Sequence, residues 1–206
     1  MRDPPGLLHS NFVAAVLNDL FGIQARSGCF CAGPYLHRIY GIDARWSRRM
    51  SAQAEHGYLG AKVSFVRVGF NYFTSETVFD YVVGAVHFLA DHGWKLLPFY
   101  RFDARSGLWE HAGRPPRRQL GLEDVAYESG RLEFHRPRAT EPESVLPRYL
   151  EDASRIVSAL ELSPPASADV PALSPSFEEI RWFPLPNEAL AELRARRRAK
   201  RAATDL

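Results

Sequence analysis

Chemistry in this 206-residue chain concentrates at its only two cysteines, Cys29 and Cys31. They lie in the stretch Phe21-Gly-Ile-Gln-Ala-Arg-Ser-Gly-Cys-Phe-Cys-Ala-Gly-Pro34. Arg26 precedes them and a Gly-Pro turn follows, which places both thiols on a loop between a short strand and a helix. A loop thiol beside a guanidinium and ahead of a helix N-terminus sits in positive potential, the condition that stabilises a thiolate nucleophile. The plain alternative is an inert loop thiol. The cysteines are too close in sequence to bridge well to one another. With His37 they would still fall short of the about four ligands, at wider spacing, of a structural zinc site. Arg67 stands in an otherwise apolar strand and needs a partner, either a carboxylate of the protein in a buried salt bridge or one carried by a ligand.

The elements around these residues follow from hydrophobic period and punctuation. Ser10 is placed to cap a helix with Phe12, Val13, Val16, Leu17 and Leu20 on one stripe, ended by Gly22. Ile23, Gln24 and Ala25 extend toward the cysteine loop. Pro34 suits the first turn of a second helix, which runs to about Tyr40 and stops at Gly41. Asp43 starts a third across Trp46, Met50 and Ala54, closing near Gly57. Residues 63–70 alternate as a strand, with Val63, Phe65, Arg67 and Gly69 to one side. Thr74 or Ser75 then caps a long helix whose stripe is Val78, Phe79, Val82, Val83, Val86 and Leu89, ending near Gly93.

Beyond Gly93 the character changes. Residues 99–102 and 108–111 flank Asp103-Ala-Arg-Ser-Gly107 as a hairpin, and a second, weaker hairpin turns at Glu128-Ser-Gly130 and leads into residues 131–135. Residues 142–162 form a helix with Val145, Leu146, Tyr149, Leu150, Ala153, Ile156, Val157 and Leu160 inward. A Pro/Ser-rich linker covers residues near 163–176, and a basic helix starts at about Asn187. The fold class is α/β: a small, mainly antiparallel sheet covered by helices over residues 1–93, a β-hairpin extension over 94–140 and a helical tail over 141–206.

Bulk properties narrow the classes. A hydrophobic share of 46% with 24% charged residues supports one good core. The net charge of +2 marks no polyanion-binding protein. Of the eight residues 194–201 six are cationic, but Glu188 and Glu192 precede them and no aromatic platform interleaves, so a solvated helix end is the simpler reading and a nucleic-acid contact the lesser one. No apolar run approaches the ~20 residues of a membrane span. The N-terminus lacks the layout of a signal peptide, and two close cysteines are no disulfide framework, so cytoplasm is the expected compartment. Trp182-Phe-Pro-Leu-Pro186 is an aromatic-proline segment that should dock on the core or on another chain. His9 is read as a local capping or hydrogen-bonding residue, His87 and His92 as surface residues.

Three blocks, His9-Ser-Asn-Phe-Val-Ala-Ala-Val-Leu-Asn-Asp19, Arg26-Ser-Gly-Cys-Phe-Cys-Ala-Gly-Pro34 and Val66-Arg-Val-Gly-Phe-Asn-Tyr-Phe-Thr-Ser-Glu76, carry a family likeness. In this order and spacing, residues 9–90 resemble the C-terminal small domain of class V aminotransferase-fold enzymes that use pyridoxal phosphate, the group containing the cysteine desulfurases. The resemblance implies that Cys31 matches the thiol that attacks the substrate sulfur and that Arg67 matches the arginine gripping the carboxylate of an amino-acid substrate. Arg26 and Cys29 would be supporting residues. A planar guanidinium suits that carboxylate because its fork donates two parallel hydrogen bonds.

Two departures accompany the likeness. Cys29 stands where desulfurases often carry a histidine. The chain has three lysines, Lys62, Lys95 and Lys200, none within a block like the family's Schiff-base motif. The resemblance therefore implies a truncated chain that lacks the large, lysine-bearing domain and is inactive alone, with no cofactor-binding residues of its own. Desulfuration, transamination and lyase chemistry all occur in the family. The implied partners are a separately encoded large domain or a second copy in a homodimer. The alternative is a non-catalytic remnant or protein-interaction module.

Overall fold

A computed structural model of the chain describes residues 7–28, 32–113, 124–134 and 140–204. Helix α1 (Ser10–Phe21) ends at Gly22, whose φ of 67° lets its N–H turn back to Leu17 and Asn18 carbonyls. Strand β1 (Arg26–Gly28) follows, then α2 (Gly33–Ile39), with Pro34 in its first turn, and α3 (Ala44–Glu55), capped by Asp43, whose carboxylate accepts from the Trp46 N–H at 2.7 Å. A 3₁₀ turn (Leu59–Ala61) leads to β2 (Phe65–Arg67). Helix α4 (Glu76–His92) is capped by Ser75 and runs into a 3₁₀ segment, Gly93–Phe99.

The hairpin lies where the turn residues place it: β3 (Tyr100–Phe102) pairs antiparallel with β4 (Trp109–His111), Phe102 opposite Trp109. Asp103 fastens the turn by accepting from the Arg105 N–H and the Ser106 hydroxyl, both at 2.8 Å. The weaker hairpin is β5 (Val125–Ala126) with β6 (Glu133–Phe134); the part of it beyond residue 134 lies outside the described residues. Helices α5 (Leu146–Leu162), α6 (Pro175–Glu178) and α7 (Pro186–Thr204) complete the chain. Among the described residues the fold is mixed, 57% helical and 8% strand, and the strands form three separate two-stranded antiparallel ribbons.

One hydrophobic core joins α1, α3, α4, the β3–β4 hairpin and helices α5, α6 and α7. Phe12 packs edge-on to Tyr100 and Trp109 with ring centres 5.1 Å away, and Val157, Phe177, Phe183 and Leu193 join the same cluster. Helix α4 presents a face one step round from the valine stripe. Tyr81, Val82, Ala85, Phe88 and Leu89 are buried, while Phe79 and Val86 are exposed. The offset follows from Tyr81, whose hydroxyl donates to the Phe21 carbonyl at 2.7 Å, and from Phe88, edge-on to Phe21 at 5.5 Å. Tyr149 and Ile156 of α5 likewise stay at the surface, and Ala153 and Val157 are the buried residues.

Hydrogen bonds anchor the hairpin to the first half of the chain, among them Leu59 N–H to the Arg105 carbonyl at 2.9 Å. Gly60 donates its N–H to the Ala104 carbonyl at 3.0 Å, so close to Phe102 that a Cβ there would meet its ring at 2.6 Å. Asn11 donates from its amide to the Gly107 carbonyl at 2.6 Å. Segment 182–186 docks on the core of its own chain: Phe183, Leu185 and Pro186 are buried, and the Trp182 indole N–H donates to the Ala61 carbonyl at 3.2 Å. None of the helices among the described residues is long and apolar enough to cross a membrane.

Candidate functional site

Strands β1 and β2 pair antiparallel with Arg26 opposite Arg67, Ser27 opposite Val66 and Gly28 opposite Phe65. Directly opposed residues share a face with Cα atoms roughly 4.5–5.5 Å apart. Two guanidinium groups therefore project from one face of one short ribbon, and both residues are exposed. Arg67 is not the buried strand residue that the apolar run 63–70 implies, because regular pairing lasts only three residues and ends at Arg67 itself.

The chain leaves β1 at Gly28 (φ 148°) and enters the cysteine loop, re-emerging at Ala32, the N-cap of α2. Cys29 and Cys31 lie outside the described residues. The loop's two anchors are nevertheless fixed. Ser10 is buried in the first turn of α1, where it accepts from the Ser27 hydroxyl at 2.8 Å and hydrogen-bonds the Ser64 hydroxyl. Tyr40, at the end of α2, donates to the Ser64 carbonyl at 3.5 Å. Burial raises the pKa of that phenol, so it stays a donor at neutral pH. A serine cluster thus ties α1, β1, the residue before β2 and the end of α2 together.

Ser10 is free for this role because it is not the helix cap. His9 is. Its Nδ1 accepts from the Asn11 N–H at 3.1 Å, which leaves Nε2 to donate to the Gly60 carbonyl at 3.2 Å. The ring lies stacked on Trp182 at 5.4 Å and edge-on to Phe183 at 4.7 Å, among Phe102 and Trp109. Burial pushes its pKa down to about 4, only partly countered by the Gly60 carbonyl, and the imidazole is neutral. His9 is structural, as its capping position implies. His87 is exposed and His92 accepts from Lys95 at 3.2 Å.

Two of the three lysines are engaged elsewhere. Lys95, nearly buried, donates to Glu161 at 2.5 Å, and Lys200 reaches the other oxygen of the same carboxylate at 3.3 Å. These two hydrogen-bonded ammonium groups hold the Glu161 pKa below its usual range. Lys62 is exposed on the link between the 3₁₀ turn and β2. Among the described residues no group of three or more His, Cys, Asp or Glu is placed to hold a metal.

One buried charge among the described residues is not legible from the sequence. Arg181, with its side chain 3% exposed, donates to both oxygens of Glu188 at 2.8 and 2.5 Å, to Glu178 at 2.9 Å and to the Phe183 carbonyl at 2.5 Å. Burial opposes its charge, yet these acceptors raise its pKa above the ordinary value. Glu188 also accepts from the Leu185 N–H at 2.9 Å, so it starts α7. Spacing offered one signal: Glu178 and Glu188 bracket an arginine inside an otherwise apolar run. The tail's cations are partly paired as well, Arg196 with Glu192 at 2.7 Å and Arg194 with the Pro165 and Ala166 carbonyls. Comparison with protein-family models, curated proteins and solved structures found no match for this chain.

Proposed function

We propose that this chain is the C-terminal portion of a pyridoxal-phosphate-dependent class V aminotransferase or cysteine desulfurase-like enzyme, with the small-domain architecture of that fold. Arg67 is its carboxylate anchor for an amino-acid substrate and Cys31 its thiol nucleophile. The observation that carries the reading is the Arg26–Arg67 register. Two opposed guanidinium groups on one face of a ribbon offer their N–H forks to a carboxylate. The same pair supplies positive potential to a thiolate on the loop that leaves β1.

The described residues do not fit the cofactor itself. Lys95 and Lys200 are both committed to Glu161, and Lys62 lacks the enclosed surroundings that make a lysine amine a nucleophile. The cofactor and its lysine belong to a large domain outside these 206 residues, and this chain contributes recognition and the thiol. A second reading, a non-catalytic interaction module, is favoured by the aromatic segment after β2: Phe70, Tyr72 and Phe73 are 47%, 100% and 72% exposed.

Alkylation by iodoacetamide, followed by mass spectrometry against pH, separates the two. On the enzymatic reading Cys31 reacts with a midpoint below that of a free thiol, and Arg26→Ala and Arg67→Ala each move the midpoint up. Cys31 behaving as a free thiol, indifferent to both substitutions, would leave the interaction module as the surviving reading.

A further inference from the structure

Away from the cysteine loop, a cavity of about 1050 Å³ opens between α3, the Gly93–Phe99 segment and the first turns of α7. Its size is at the upper end of small-molecule sites. Trp46, Trp94 and Trp182, three of the protein's four tryptophans, line it together with Tyr40. Ile42, Met50 and Val63 add aliphatic surface, and Ala189, Ala191 and Ala195 keep the α7 side low.

The charges at its rim decide what it accepts. Every ionised side chain lining the cavity has a partner of opposite sign: Glu179 with Arg49 at 2.6 Å, Arg181 with Glu188 at 2.5 Å and Arg196 with Glu192 at 2.7 Å. Neither a cation nor an anion is complemented by such a rim. The polar groups of the wall are also engaged: the Trp182 indole N–H with Ala61, the Tyr40 hydroxyl with Ser64 and the Arg181 guanidinium with four acceptors. A peptide would bring backbone N–H and C=O groups into a cleft with few polar groups to receive them, and each buried unpaired group is penalised. A molecule with few polar atoms meets no such penalty. The Arg196 guanidinium covers one face of Trp94 at 4.7 Å and His9 stacks on one face of Trp182 at 5.4 Å, so a flat partner meets the remaining indole surface, that of Trp46 included, through offset or edge-on ring contacts.

We propose that this cleft is a binding site for a neutral, planar aromatic small molecule. The inference is independent of the cysteine loop and of the class V reading.

The test uses the full chain and the neutral probe N-phenyl-1-naphthylamine, with its anionic relative 1-anilinonaphthalene-8-sulfonate as the charged comparison. The neutral probe should bind saturably at one site, quench tryptophan emission and exceed the affinity of the anion by about tenfold or more. Ala195→Trp, at an exposed helix position that lines the cleft, should fill it and weaken the neutral probe by about tenfold, with the far-ultraviolet spectrum unchanged. Trp46→Ala, which removes a half-exposed wall, should weaken it as well and serves if the first variant does not fold. Non-saturable uptake, preference for the anion, or wild-type affinity in a folded Ala195→Trp or Trp46→Ala protein overturns the proposal.

Discussion

Removing the carboxylate of Glu188 should damage the protein more than removing the guanidinium it neutralises. In Glu188→Ala, Arg181 keeps its charge in a site where its side chain is 3% exposed, and it loses two charge-assisted hydrogen bonds at 2.8 and 2.5 Å. The Leu185 N–H loses its acceptor in the same step. Stripping one partner from a buried pair costs roughly 3–5 kcal/mol; because Glu188 is 43% exposed and water enters from that side, the lower end applies, about 3 kcal/mol. For a chain of this length that corresponds to a Tm drop of roughly 6–12 °C. Arg181→Met behaves differently. Methionine fills most of the volume, and Glu188 and Glu178, 43% and 37% exposed, hydrate once released. What remains is the Phe183 carbonyl without its donor, about 1–2 kcal/mol. Thermal unfolding followed by circular dichroism, repeated in urea, measures both variants. A Tm for Glu188→Ala equal to or above that of Arg181→Met would refute the claim that a buried guanidinium left with Glu178 alone costs more than the loss of the guanidinium itself.

Acid should weaken the fold through His9. The unfolded chain takes up that proton near the ordinary histidine value of 6.5 and the folded chain only near 4, so stability held above pH 6.5 falls as pH drops from 6.5 toward 4, by about 3 kcal/mol in all. Urea midpoints across this range should fall steeply in the wild type and more gently in His9→Asn, which keeps a helix-capping acceptor without a titrating ring; equal slopes would exclude His9 as the source. Gly60→Ala should cost about 1–3 kcal/mol, since the new methyl meets the Phe102 ring at 2.6 Å and the Ala104 carbonyl at 3.0 Å. An unchanged denaturation midpoint would show that the hairpin yields to accommodate it.

Elements whose ends are set by local chemistry could be read directly. Gly22, Asp43, Ser75, Gly107 and Gly130 each act through the few residues beside them, and the helices and both hairpin turns lie where those residues place them. Facing was harder. The valines of α4 drew the stripe toward Phe79 and Val86, while the true face is chosen by a hydrogen bond to Phe21, a residue 60 positions away. Ser10 carries the right side chain for a cap, but a buried aromatic pocket built from positions 102, 109, 182 and 183 reserves that place for His9. At the candidate site, each arginine was visible singly. Their juxtaposition was not, because strand register is a long-range property and three-residue strands carry little pattern. Arg181 was missed for the same reason: its burial depends on a fold that closes around it.

The docking of Trp182 and Phe183 against His9, Phe102 and Trp109 also sets the order of events during synthesis. These partners lie far apart in sequence, so the first half emerges from the ribosome with its aromatic faces uncovered. They stay wet until the segment carrying Phe177 through Leu193 has cleared the exit tunnel. Completion of the native interior therefore waits for that segment, and a nascent chain stalled before it exposes apolar surface prone to aggregation.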